Sequence, residues 1–181
     1  RFGRLDILVN NAAVRGERPF EALDYETWRQ VQAIILDGAF HCIQAALPAL
    51  KASGAGTIVN IGGLTAHTGG AERAHVVAAK AGLVGLTRAL AHDLAPHGIT
   101  VNNVLPGFTR TARLDGLIAG KMKSSGASED AVAAGMKSVV PMGRFADAAE
   151  VAAAIAFLAS PAASYITGVS IAVDGGRTLC L

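Results

Sequence analysis

One lysine and two histidines are the side chains of this sequence best suited to ligand contact or proton transfer. Lys80 lies in the stretch AHVVAAKAGLVGLTRAL, where small neighbours leave room for a ligand to approach closely. His67 and His75 carry imidazoles, which titrate near neutral pH. We expect Lys80 to contact a ligand; the alternative is a solvated or structural lysine.

The histidines differ in how well their positions suit proton transfer. His75 precedes Lys80 by five positions, about 140° around a helix axis, so the two side chains would not share a helix face. His67 falls in a loop after a predicted strand, where Thr65 could supply a hydroxyl. The alternatives are a polar residue at a helix start for His75 and an ordinary loop residue for His67.

The elements that position these residues alternate along the chain. Short apolar runs that end in polar or glycine turns predict strands at 5–10, 57–61, 99–105 and 169–173. Between them, apolar residues at helical spacing predict helices, and Asp24 or Thr27 could cap the first. We expect Pro48 to kink or end that helix. This alternation predicts one α/β domain over 1–181, a parallel sheet with helices on both faces.

Composition limits the classes of partner. The 181 residues are 51% hydrophobic with a net charge of +2 and no basic run, so neither nucleic acid nor an anionic membrane is expected. The longest apolar run, at 151–159, is far short of the roughly 20 residues that span a bilayer. Cys42 and Cys180 form no disulfide framework, which favours a reducing, cytoplasmic location.

Five short motifs, in order, resemble those of the short-chain dehydrogenase/reductase family, as does the stretch around Lys80. They are FGRLDILVNNAA at 2–13, GITVN at 98–102 leading to Pro106-Gly107, GRF at 143–145, SYITG at 164–168 and VDGG at 173–176. The resemblance implies a three-layer, Rossmann-type, doubly wound parallel sheet, with the last four of seven strands in this chain. The abrupt start near the first strand is interpreted as that of a fragment. Without the family's glycine-rich turn, we expect these residues alone to bind a dinucleotide poorly and to aggregate.

The family's chemistry is hydride transfer between NAD or NADP and an alcohol or carbonyl carbon. Its members use a Tyr to pass the proton, a Lys four residues later, a Ser that orients the substrate oxygen and an Asn on the preceding helix. Lys80 matches the Lys, whereas the Tyr, Ser and Asn positions hold Val76, Gly63 and Ile35. None of these three side chains can donate or accept a proton.

Two functional hypotheses follow from this pattern. The first is an oxidoreductase that acts on a small alcohol or carbonyl compound with a non-standard proton donor, such as His75 or His67. The second is a catalytically silent subunit that binds the cofactor or serves in assembly. Under either, the intact Lys80 favours cofactor binding.

The resemblance also assigns the cofactor contacts. Gly107 and Phe108 match the turn that meets the nicotinamide carboxamide, Thr111 matches a hydroxyl that often contacts it, and Asn11 and Ala12 would approach the adenosine side. No metal ligands are predicted.

Two further expectations concern the substrate and assembly. Residues 109–142, where the pattern weakens, would form a mobile flap of short helices over the substrate. In the family, the long helices near 27–50 and 76–95 commonly pack between subunits, so a homo-oligomer, dimer or tetramer, is expected.

Overall fold

A parallel four-stranded sheet organises the computed structural model, which describes residues 3–178. The strands are β1 (Ile7–Asn10), β2 (Thr57–Ile61), β3 (Thr100–Pro106) and β4 (Ser170–Val173), and their order in the sheet follows the chain. Because all pairs are parallel, the four carboxyl ends lie at one edge of the sheet. The predicted α/β class and parallel sheet are confirmed, with strand ends shifted by one or two residues.

Within residues 3–178, seven α-helices connect or flank these strands. They are α1 (Tyr25–Gln32), α2 (Gly38–Ser53), α3 (Thr65–Thr68), α4 (Ala74–Leu94), α5 (Ala112–Ser125), α6 (Glu129–Ser138) and α7 (Ala148–Leu158). A π-helical turn, Ala33–Asp37, joins α1 to α2. Asp24 caps α1, because its carboxylate accepts a hydrogen bond of 2.6 Å from the backbone N–H of Thr27.

The core lies on both faces of the sheet, as the alternation of side chains along β2 shows. Ile58 packs into a cluster with residues of α2 and α4, including Leu50 and Leu94. Its neighbour Val59 faces the opposite side, where it packs with Leu158 of α7. Because successive strand residues point to opposite faces, β2 is buried along its whole length.

A polar connection crosses this apolar core. The side-chain amide of Asn10 donates to that of Asn60 at 2.8 Å, and Asn60 in turn donates to the Thr87 hydroxyl at 2.9 Å. Thr87 passes the chain on to the carbonyl of Leu83 within α4. These bonds join β1, β2 and α4, and each buried amide thereby keeps a hydrogen-bond partner.

Pro48 does not end the helix, one of the two outcomes expected for it. Helix α2 continues through Pro48 to Ser53, where Gly54 ends it in a left-handed conformation at φ 71°. Pro48 lacks an N–H and leaves the carbonyl of Gln44 without its helical donor. Both residues lie on the exposed face of the helix, so water can satisfy that carbonyl.

The segment 109–142 contains two helices with a small apolar cluster. Leu114 and Ile118 of α5 pack with Met136 of α6 and with Phe145 beyond it. The weak sequence pattern therefore reflects short helices that bury only one stripe each. Helix α5 contributes Leu114 and Leu117 to the lining of the cavity described below, and the substrate flap stays a prediction.

Two helical stretches are long and apolar enough to span a bilayer by length and composition alone, Tyr25–Ser53 and Ala74–His97. The uninterrupted apolar run at 151–159 belongs to neither of them. Both stretches bury residues against the sheet, Ile43 and Leu50 from the first and Leu83 and Ala91 from the second.

Gly107, directly after β3, packs closely against the residue that follows β4. A Cβ there would lie 2.7 Å from the Cα of Asp174, a backbone atom that cannot move without displacing the end of β4. We predict that Gly107→Ala lowers the free energy of unfolding by about 1–3 kcal/mol in chemical denaturation. Gly116 is the control, because a Cβ there meets nothing within 4 Å. Gly116→Ala should be neutral or stabilise α5 by up to about 1 kcal/mol; equal losses for both variants would contradict the close packing.

Candidate functional site

A cavity of about 350 Å³ lies at the carboxyl edge of the sheet. Asn11 follows β1, Ile61 ends β2, Pro106 ends β3 and Arg177 lies shortly after β4; all four line the cavity. Residues of α5 and α7 complete its wall. Ligands of open α/β sheets bind at this edge, outside the carboxyl ends of the strands.

A smaller pocket of about 30 Å³ adjoins the cavity and shares part of its lining. It is lined by Lys80, Val76 and Gly63, which occupy the family's Lys, Tyr and Ser positions. Thr65 and Gly63 line both spaces. The structure therefore brings the predicted reaction positions together beside the larger cavity.

Lys80 is buried, with 3% of its surface exposed, and its position is fixed by a backbone contact. Its Nζ donates a hydrogen bond of 2.5 Å to the carbonyl oxygen of Ile61, the last residue of β2. Burial, and secondly the positive charge of Arg15, lower the pKa of Lys80 to about 8. An ammonium has three donors, so Nζ keeps hydrogen-bonding capacity for a ligand.

Apolar packing occupies two of the three positions where the family has proton-handling groups. Val76 and Ile35 belong to one buried cluster with Val31 and Ala79. At the third position, a Cβ on Gly63 would lie 4.0 Å from the Thr65 hydroxyl, so Thr65 occupies the neighbouring space. Ile35 lies within the π-helical turn, and its apolar side chain is buried there.

The two histidines lie outside the described linings of both spaces. His75 is 2% exposed inside α4, and its carbonyl accepts a hydrogen bond of 2.9 Å from the side-chain amide of Gln32. Burial lowers the pKa of His75, which favours a neutral ring. His67 is exposed on α3. Neither histidine is part of the described lining of the cavity or the pocket.

Most of the predicted cofactor residues share one wall. Asn11, Gly107, Phe108 and Thr111 line the 350 Å³ cavity, whereas Ala12 is exposed outside its lining. The backbone N–H of Gly107 donates to the carbonyl of Val173 at 2.9 Å, which fixes the turn against the end of β4. With Lys80 in the adjoining pocket, these residues offer donors and a close-packed backbone that fit a nicotinamide riboside.

The cavity lining contains four arginines that were not predicted as site residues: Arg15, Arg73, Arg113 and Arg177. They stand far apart in sequence and form no basic run, so charge patterning gave no signal for them. Only the parallel topology brings them to one edge.

The lowered pKa of Lys80 predicts a stability change with pH. The folded value of about 8 lies below the ordinary value of 10.5, so unfolding takes up a proton between these two pH values. Unfolding free energy should therefore rise between pH 8 and 10.5, by up to about 3 kcal/mol from this group, and should not depend on it below pH 8.

The difference between the protein and its Lys80→Met variant isolates this contribution in denaturant titrations at several pH values. The variant should lack the rise. Lys123→Met, at an exposed position of α5, should keep it. A rise of equal size in Lys80→Met would contradict the burial of a charged ammonium.

Comparisons with known proteins agree with this geometry. Residues 1–178 match the profile of a family described as enoyl-(acyl carrier protein) reductase. Trans-4-hydroxycyclohexanecarboxylate dehydrogenase of Sinomonas cyclohexanicum is 40% identical, over 98% of this chain and 62% of its own length. The 3-oxoacyl-(acyl-carrier-protein) reductase FabG of Staphylococcus aureus is 38% identical, over 97% of this chain and 67% of its own.

A solved structure extends the comparison to the fold. YwfH, an NADPH-dependent reductase involved in bacilysin biosynthesis, superimposes with a TM-score of 0.93 at 33% identity. The match covers 99% of this chain and 69% of that one. The chain spans about two thirds of the length of these relatives, and its sheet is the corresponding part of their Rossmann-type fold. This chain belongs to the short-chain dehydrogenase/reductase family.

Proposed function

We propose that the protein is an NAD(P)-dependent oxidoreductase that interconverts a small alcohol and a carbonyl compound, with Lys80 as its proton donor. The observation that carries this proposal is the position of Lys80. Its buried Nζ lines the pocket beside Val76, where no phenol stands between the amine and a substrate. Related proteins are reductases and dehydrogenases, one of them NADPH-dependent.

Residues of both spaces would hold the cofactor. A nicotinamide cofactor, NAD or NADP, supplies or accepts the hydride when bound. We assign Lys80 to the ribose, Gly107, Phe108 and Thr111 to the carboxamide side, and Asn11 and Ala12 to the adenosine side. The first four of these positions lie around connected spaces, which supports the assignment.

The proton would move at Lys80 Nζ. In the direction of reduction, the ammonium gives a proton to the carbonyl oxygen as the carbonyl carbon gains a hydride, and the resulting neutral amine takes a proton from solvent. In the direction of oxidation, the neutral amine accepts the proton of the alcohol. The Thr65 hydroxyl, beside Gly63, would orient the substrate oxygen in place of the family's Ser. His75 and His67 are the alternative donors, and they would need a different arrangement from the one described.

One observation favours a second candidate, a catalytically silent subunit that binds cofactor or serves in assembly. Val76 and Ile35 pack in one apolar cluster, so apolar groups fill the usual proton path. Under this alternative Lys80 would hold the ribose and transfer no proton.

We further propose a cytoplasmic homo-oligomer, a dimer or tetramer. Tyr25 of α1 and Phe40 of α2 are 75% and 43% exposed, which leaves large apolar surface on these helices. Association of copies would cover such surface.

A substrate panel tests the proposal directly. Reduced cofactor is mixed with a series of ketones and aldehydes, and its absorbance is followed for the intact protein, Lys80→Met, His75→Ala and His67→Ala. We predict that Lys80→Met lowers kcat at least about a hundredfold. The histidine variants should keep activity within about a factor of three, a smaller change than loss of a general acid gives. Because the donor must be protonated, the rate of reduction should fall as pH rises through about 8.

Two other outcomes would contradict Lys80 as the proton donor. Turnover that is lost on one histidine replacement and kept in Lys80→Met would move the donor to that histidine. Cofactor binding without turnover across the panel would favour the silent subunit.

A further inference from the structure

Three arginines from separate parts of the chain meet where the cavity and the pocket join. Arg15 follows β1, Arg73 precedes the first residue of α4, and Arg113 lies in the first turn of α5. All three line both the cavity and the pocket that contains Lys80. The join therefore carries a concentration of positive charge.

No carboxylate in the described lining balances this charge. Arg73 pairs with Glu17, which lies outside the lining, and within residues 3–178 neither Arg15 nor Arg113 forms a salt bridge. Of the six arginines of residues 3–178 that lie outside these two linings, Arg88 forms no salt bridge and five pair with acids: Arg4, Arg18, Arg29, Arg110 and Arg144. The lack of acid partners is thus concentrated at the cavity.

The electrostatics of the three side chains agree with this imbalance. Burial, and secondly the charges of Arg113 and Arg73, lower the pKa of Arg15. Burial and the charge of Arg73 likewise lower the pKa of Arg113, and the negative charge of Glu17, outside the lining, offsets part of this effect. Like charges held together disfavour one another, and an anion placed between them relieves the repulsion.

We infer that the site binds its small-molecule substrate through a carboxylate or phosphate group held by Arg15, Arg73 and Arg113. Guanidinium groups suit such oxyanions because their N–H donors match the geometry of carboxylate and phosphate oxygens. That the ligand is a substrate rests on the proposed function. That the ligand is negatively charged rests on the arginines.

The cofactor's phosphates are the other source of such a group. Gly107 and Phe108, assigned to the cofactor, line only the larger cavity, whereas the three arginines also line the pocket beside Lys80 and Gly63. The three arginines therefore lie beside Lys80, which is assigned both to the cofactor ribose and to the reacting carbonyl, and the pyrophosphate arm of the test distinguishes the two sources of the anion.

The test compares two probes of equal shape and different charge, benzoate and benzamide, by calorimetry on the intact protein without cofactor. Benzoate should bind at least about tenfold more tightly, as charge-assisted bonds require. This preference should fall to about threefold or less in Arg15→Gln and Arg113→Gln, and Arg15→Lys should keep part of it. Rising salt should weaken benzoate binding and leave benzamide binding unchanged.

Arg88→Gln is the matched control. Arg88 is exposed on α4, forms no salt bridge within residues 3–178, and lines a separate cavity beside His92 and Gly168. Its variant should keep the full preference for benzoate. Circular dichroism melts of every variant show whether the fold is retained, and the salt dependence tests the inference in the unaltered protein if a variant unfolds.

Equal binding of benzoate and benzamide, or an equal loss in Arg88→Gln, would overturn the inference. Inorganic pyrophosphate distinguishes the two sources of the anion. If pyrophosphate binds with dependence on Arg15 and Arg113 while benzoate shows no preference, the arginines serve the cofactor and the inference is wrong. Binding of reduced cofactor, measured separately in the same variants, reports on the proposed function, so the two failures are distinguishable.

Discussion

The hydrogen bond from Lys80 to the carbonyl of Ile61 connects the main helix of this fold to the end of its central strand. Lys80 lies on the same buried stripe of α4 as Leu83, Thr87 and Ala91, which pack on the sheet. The packing of that stripe holds the ammonium at the carboxyl edge, at 2.5 Å from its acceptor. The lowered pKa depends on this placement, because a lysine free in solvent would keep its ordinary pKa. The proposed cofactor contact and proton transfer depend on it as well.

Apolar groups fill two of the three positions where the family has proton-handling side chains. Val76 and Ile35 pack in one apolar cluster, and the π-helical turn contains Ile35. Such turns are frequent at functional sites. Here Ile35 belongs to the core packing, and Gly63 and Lys80 line one pocket.

The sequence predicted the parallel sheet and the bounds of its strands to within two residues, because strand runs are local signals. Pro48 does not end its helix, because exposure of the helix face to water compensates for the lost bond. It also missed Arg15, Arg73 and Arg113, which meet only after three crossovers of the chain have been packed. The angle around the helix did indicate that His75 points away from the Tyr position, and the structure places it outside the pocket.

The central claim is that Lys80 titrates well below the ordinary pH range of a lysine in the folded protein. Nuclear magnetic resonance of the isotope-labelled lysine side chains measures this titration directly, with the Lys80 signal assigned by its loss in Lys80→Met. The account predicts a titration midpoint at about 8. A midpoint near 10.5, the ordinary value for a lysine, would contradict it.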